Sequence, residues 1–207
     1  MANTQSPFGF SAQGRTPGSP AYDAARIKRS VASNNSNKIF KGDLVNQLTT
    51  GYVDVAAASG SAGTALGIAD EFEYLSTSLQ RRVWSNYWPG ADATGDVTIW
   101  VIVDPRAQFV VQSTGSAAVG FADIGKNIDI STGTAGNTTT QTSGMAVNQG
   151  SLSTSDATLP FRVIGLASQQ YPTGDVGVIP NIDDTVPYNN VIVTFNDAAF
   201  NTLTPVQ

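Results

Sequence analysis

Only two Glu and four Lys occur in this 207-residue chain, although these are among the side chains that most often cover an exposed helix face. Unbranched charged residues lose little rotamer freedom in a helix, whereas Ser, Thr and Asn compete with its backbone hydrogen bonds. Here the polarity comes from Ser, Thr, Asn, Gln and Gly, and charged residues make up 13% of the chain, against about a quarter in an ordinary domain. Turns and β-surfaces suit such a composition, and a helical protein does not.

Apolar patterning points the same way. DVTIWVIVDP (Asp96–Pro105) is apolar on both faces, with Val97, Ile99, Val101 and Val103 on one side and Trp100 and Ile102 on the other. That pattern predicts a strand buried from both sides, with Trp100 in the core. GYVDVAA, TALGIADEFEYLS, RRVWSNYW, AQFVVQS, AVGFADIGKNIDIS, LPFRVIGLAS and YNNVIVTFND are further strand candidates, separated by Gly, Pro, Asn and Ser. Many short strands with such punctuation predict one all-β domain, a barrel or sandwich of jelly-roll or tulip-like form with little helix. Residues 131–158 are Ser/Thr/Gly/Asn-rich and read as a long surface loop or hairpin with a brief strand at Met145–Val147. NDAAFNTL suggests one closing helical turn. No internal repeat is visible.

The length fits one domain with an appendage. Residues 1–24 carry three Pro and three Gly without periodicity, yet also Phe8, Phe10 and Tyr22. A solubilising tail has no need of aromatics, so this is read as an extended arm held on a partner or on its own domain, removable without unfolding the body. The body spans residues 25–200 and a short tail 201–207. ARIKRSVASNNSNKIFKGDLVNQL reads as a hairpin turning at SNNSN, with Ile39–Leu48 as the return strand bent or bulged at KGD, and a helix over Asp23–Val31 as the alternative.

Charge is unevenly placed. Residues 1–41 hold six Lys/Arg (Arg15, Arg26, Lys28, Arg29, Lys38, Lys41) against Asp23 alone, while residues 42–207 hold five against fifteen Asp/Glu. A basic segment on an acidic body can dock onto acidic surfaces, other copies of the chain included, or simply form a solvated hairpin. The acidic body argues against direct nucleic-acid binding. The first ten residues, MANTQSPFGF, show no charged region followed by an apolar one, so no secretory signal is expected. No apolar run approaches membrane-spanning length.

The chain has neither Cys nor His. Disulfides, zinc–thiolate sites, Ser-His-Asp and Cys-His nucleophiles and histidine acid/base work are therefore excluded. Carboxylate pairs remain, at Glu71/Glu73, Asp92/Asp96 and Asp183/Asp184, but their setting is that of solvated strands and turns, and a non-enzyme without cofactor or metal is expected. DATGD (Asp92–Asp96) lacks the alternating ligands and terminal Glu of a calcium loop. RRVWSNYWPGADATGDVTIWVIVDP contains every Trp of the chain. Trp84 and Trp88 fit core or a subunit interface better than a ligand platform; a sugar platform would use Trp84, Tyr87 and Trp88.

FKGDLVNQLTTGYV, TALGIADEFEYLS, SNYWPGADATGDVTIWVIVDP, FADIGKNIDI and LPFRVIGL, taken in that order, resemble the head decoration (cement) proteins of tailed bacteriophages, and SPFGFSAQGR is similar to the N-terminal arm of related phage structural proteins. The resemblance implies a small β-barrel or sandwich, without active site or cofactor. It would sit on the outside of an icosahedral head, tying neighbouring major capsid proteins together as a dimer or trimer. It assigns no single functional residue. The partner interface read from the residues themselves is Phe8, Phe10, Arg15, Tyr22, Arg26, Lys28, Arg29, Trp84 and Trp88. Alternatives are another β-rich virion part (tail, head-fibre or adaptor) or a carbohydrate-binding module.

Overall fold

The computed structural model describes residues 3–15, 26–58, 65–169, 181–182 and 186–196. Tyr22, Asp183/Asp184, nearly all of the predicted closing turn and the tail 201–207 lie outside the described residues. In chain order the strands are β1 (Ser11–Arg15), β2 (Arg26–Val31), β3 (Ile39–Phe40), β4 (Leu44–Gln47), β5 (Val53–Val55), β6 (Ala65–Ser76), β7 (Arg81–Ser85), β8 (Tyr87–Trp88), β9 (Val97–Ile102), β10 (Ala107–Thr114), β11 (Asn127–Ser131), β12 (Ala146–Ser153), β13 (Phe161–Leu166), β14 (Ser168–Gln169), β15 (Asn181–Ile182) and β16 (Asn190–Phe195). Among the described residues the one helical element is a 3-10 turn, Phe121–Asp123. The chain is all-β, as its composition requires.

Five strands close a barrel in the order β10-β12-β11-β13-β16, with β16 returning to β10. One edge of β10 is taken by β16, and Asn189 extends that pairing to Ser113. The other edge is shared: β1 of the arm pairs with Ala107–Val110, and β12 runs parallel to β10 at Ser113–Thr114. The arm thus fills the stretch of barrel wall that β12 leaves open. A second sheet runs β2-β9-β6-β4-β5, with β7 on the far half of β6. Asn35 and Asn37, just past β2, donate side-chain hydrogen bonds to Asp54 on β5 at 2.9 and 2.8 Å. These links curl the sheet round a core of its own.

There are accordingly two cores. The barrel core is dominated by Phe109, Phe161 and Phe195, with Leu44, Ala65, Ile68 and Ile102 contributed by the second sheet. The other core holds Val31, Ile39, Val45, Phe72, Tyr74, Trp88, Val97, Ile99 and Val101. Strand β6 serves both: Ala65 and Ile68 face the barrel, and Leu66, Ala69, Phe72 and Tyr74 face the second core. Gly67 lies against β9 so closely that a Cβ would fall 2.2 Å from the Ile102 carbonyl oxygen. Only a residue without a side chain allows that approach.

Three expectations are corrected by this topology. The basic segment is a strand, but its partner is β9, from Arg26 opposite Ile102 to Val31 opposite Val97. The expected return strand divides into β3, which pairs with β8, and β4, which pairs with β5 and β6. The division falls at Gly42, whose φ of +90° turns the chain between the two. Strand β9 is buried on both faces only at its end. Val97, Ile99 and Val101 are in the second core and Ile102 reaches the barrel core, but Trp100 is only half-buried, on the solvent face. Residues 131–158 contain an eight-residue strand, β12, of which only Ala146 and Val147 are buried. Its polar remainder carries no apolar alternation.

Phe10 is 3% exposed, stacked on Phe161 (centroids 4.4 Å apart) and edge-on to Phe109 (6.3 Å). The arm is therefore part of the barrel and cannot be removed without cost. Replacing Phe10 by Ala is expected to lower the unfolding free energy by about 3–5 kcal/mol, the range for a deleted core Phe. Phe8→Ala, at a half-buried position, should cost less than about 1 kcal/mol. Urea denaturation of the two variants checks this, and equal effects would contradict the packing described.

Candidate interaction surfaces

The outer face of the second sheet carries a row of side chains that the pleat brings into line. Lys28 stands opposite Trp100, and Trp100 opposite Glu71. One step along, Thr98 stands opposite Glu73 and Glu73 opposite Trp84. Trp84 leans across β6 onto Trp100, with ring centroids 5.1 Å apart at 30°, and the Lys28 ammonium lies 5.1 Å from the Trp100 ring. Glu73 is paired with the Arg82 guanidinium. Trp84 remains 61% exposed. An exposed stack with a cation beside it contributes about 0.5–1.5 kcal/mol beyond area burial, which is enough to hold the rings in place.

The predicted platform of Trp84, Tyr87 and Trp88 is not assembled. Trp88 is fully buried in the second core, edge-on to Tyr74 at 5.1 Å. Tyr87 stacks on Phe40 at 5.4 Å. After Ser85 the chain leaves the sheet face and pairs with β3, so alternate residues of β8 meet different surroundings from those of β7. Trp88 and Phe10 are therefore core residues of this chain. Phe8 is half-buried. Arg29 donates to the Lys28 carbonyl at 3.0 Å. The backbone of Arg15 closes β1, while its side chain and all of Tyr22 lie outside the described residues.

Two cations of the basic segment meet an acid of their own chain. Asp70 is held by Arg26 at 2.5 Å and by Lys41 at 2.7 Å. The trio borders a cleft of about 350 Å³ between the two cores, also lined by Phe10, Ala12, Ile68 and Ile102. The acidic body thus satisfies part of the charge that the sequence suggests is offered outward.

A second exposed feature escaped the sequence reading. Phe121 is 69% exposed, and Ile124 beside it is also exposed, at one end of the barrel. The turn that carries them is firmly held. Gly120 N–H donates to Asp123 at 2.8 Å, Lys126 pairs with Asp123 at 2.7 Å, and Gly125 N–H bonds the Val163 carbonyl at 2.8 Å. Lys126 and the Gly120 N–H hold the Asp123 carboxyl below its ordinary pKa, against the opposing effect of its partial burial. An aromatic knob on a fixed turn loses little entropy when it docks. Alternation could not reveal it, because FADIG is neither strand nor regular helix.

Asp92 and Asp96 hold turns in place. Asp92 accepts from the Thr77 hydroxyl, the Ser76 and Ser78 hydroxyls and the Ser78 N–H, which pulls its pKa down to about 2. Asp96 accepts from the Tyr52 hydroxyl at 2.8 Å and so raises that phenol's pKa. DATGD is thereby a turn anchor. Among the described residues no cluster of three or more acids could hold a metal ion, and no helix is long and apolar enough to cross a membrane.

Asp43 differs from these. It is buried beneath the arm, accepting from Ser143 Oγ at 2.5 Å and from Phe40 N–H at 2.7 Å. The same node seats the arm: Phe10 N–H bonds the Gly42 carbonyl at 2.9 Å and Gly9 N–H bonds the Met145 carbonyl at 3.1 Å. Gly9, at φ +77°, passes so near Ser143 that a Cβ would lie 2.4 Å from the serine Cβ. Burial raises the Asp43 pKa to about 6, against the opposing effect of its two hydrogen bonds.

Comparison with protein-family models, with curated proteins and with solved structures returned no match. The surfaces above are therefore read from their own chemistry.

The Asp43 shift carries a sign. A carboxyl whose folded pKa lies above its unfolded value binds its proton more tightly in the folded state, so stability falls as pH rises between about 4 and 6. The charged form above that window costs about 3 kcal/mol, from two units at roughly 1.4 kcal/mol each. Lowering the pH from 7 to 5 should thus stabilise the protein, and Asp43→Asn should remove most of that dependence. The depressed carboxyls, Asp92 foremost, act only below about pH 4 and in the opposite sense. Urea midpoints across the pH range measure both.

Proposed function

We propose that the protein is a structural component of a tailed-phage particle, seated on the outside of the icosahedral head, where it ties neighbouring major capsid proteins together. The resemblance of its ordered segments to head decoration proteins supports this reading, and so does an all-β body with its own N-terminal arm built into the barrel wall. The observation that carries it is the Phe121–Ile124 knob. It lies in FADIGKNIDI, one of the resembling segments, and it presents the most exposed large apolar side chain among the described residues, Phe121, on a hydrogen-bonded turn. Aromatic anchors of this kind dominate protein–protein affinity. The exposed cations of β2 supply charge that an acidic capsid surface would attract. Self-association as a dimer or trimer belongs to the same reading.

Purified particles and heads provide the test. The chain should appear on the head exterior in a cryo-microscopy map, and Phe121→Ala should weaken attachment to stripped heads at least about tenfold while leaving the melting temperature unchanged. Density on the tail or a head fibre would assign it to another virion part. Absence from the particle would overturn the reading altogether.

A further inference from the structure

Where β7 leaves the sheet, a hollow of about 250 Å³ is lined by Glu71, Trp84, Ser85, Asn86 and Gln141. The five residues come from three separate stretches of chain: β6, the β7–β8 crossing and the turn at 138–141. We propose that this hollow is a saccharide-binding site, with a pyranose ring lying against Trp84 and its hydroxyls held by Glu71, Asn86 and Gln141. The site is separate from the Phe121 knob and stands whether or not the chain is a virion protein.

The chemistry of the lining selects the ligand class. Trp84 offers an exposed indole, its other contact being the stack on Trp100, and suits a flat apolar patch such as the C–H face of a sugar ring. The neighbouring acid Glu73 is paired with Arg82, whereas Glu71 has only a 3.9 Å approach from Arg26. Its carboxylate is therefore available to accept hydroxyl hydrogen bonds, and it repels phosphate and other anions. The Asn86 side-chain amide, the Gln141 Nε2 and the Trp84 Nε1 have no hydrogen-bond partner among the described residues, and Gln141 Oε1 has one long bond, from Asn86 N–H at 3.4 Å. The lining thus offers hydrogen-bond donors and acceptors beside a single aromatic ring. That combination fits a neutral polyhydroxylated ring better than a lipid, a nucleotide or a metal ion.

Gln141 supplies a second observation. It is a non-glycine residue at φ +57°, in the position where glycine is the unstrained choice. Its turn is closed by mutual backbone hydrogen bonds between Asn137 and Thr142, at 2.9 and 3.2 Å, with the Asn137 carboxamide oxygen accepting from Thr139 and Thr140 N–H. Gln80, Ala91 and Tyr188 also have left-handed φ, and Gln141 is the one of the four that lines the hollow, on a turn fixed by these bonds.

A glycan array of bacterial and animal saccharides, followed by NMR titration of the ¹⁵N-labelled protein with the hits, tests the site. The chain has three indole N–H signals, and a bound sugar should move that of Trp84 while leaving that of buried Trp88 in place. Trp84→Ala should weaken binding at least about tenfold. Gln141→Gly should keep or raise the melting temperature and still weaken binding about threefold or more. That variant keeps the test valid should Trp84→Ala unfold. Phe121→Ala should bind sugar normally, which separates this site from capsid attachment. No hit on the array, hits that leave the Trp84 signal unmoved, or binding that survives both variants would overturn the proposal.

Discussion

The backbone of Gly67 against the Ile102 carbonyl is the contact on which the two halves of the molecule depend. With no Cβ at that point, β6 and β9 approach closely enough for Ile68 and Ile102 to enter the barrel core while their neighbours face the other core. The ten-residue span from Ala65 to Tyr74 is buried almost throughout for this reason, although only part of it is apolar on both sides. One strand with two cores makes the halves a single unit. Separate barrels would have needed a linker and an interface of their own.

The arm is the other structural commitment. An extended Pro/Gly segment has much chain entropy to lose, and a few aromatic anchors must offset it. Phe10 does so inside the barrel, and the Gly9 and Phe10 amides complete the backbone bonding at Gly42 and Met145. Asp43 lies beneath this seat with a carboxyl that burial makes reluctant to ionise. The arm is thus held by packing and backbone hydrogen bonds beside a carboxyl that accepts from Ser143 and Phe40.

Much of the architecture could be read from the chain. The strands at 65–76, 97–102, 107–114, 161–166 and 190–195 follow from β-branched and aromatic runs between turn residues. Pairing could not be read in the same way. The basic strand β2 might have met its neighbour in sequence, but the apolar run of β9 needed a partner on each edge, and burial of Val31 against Val97 outweighed the short loop. The surfaces were hidden for a related reason. Trp84, Trp88 and Trp100 stand in one stretch of sequence, yet Trp84 and Trp100 share the outer face of the second sheet while Trp88 is buried because the chain leaves that face after Ser85. Nothing local distinguishes the fully buried ring from the exposed one. Phe121 and Gln141 sit in irregular turns, where no periodicity reports a side chain's direction.

Composition alone determined that thiol and imidazole chemistry are closed to the chain, because that depends on which atoms are present and not on where they lie, while composition together with apolar patterning and turn residues determined that it is all-β. Tertiary structure decided the rest: that the arm is a barrel strand, that two of the basic residues answer Asp70 of the same chain, and that one tryptophan faces water beside the Asn86 and Gln141 side chains and the Glu71 carboxylate. Such features arise from contacts between residues far apart in sequence. Their energies depend on burial and geometry that the order of residues does not state.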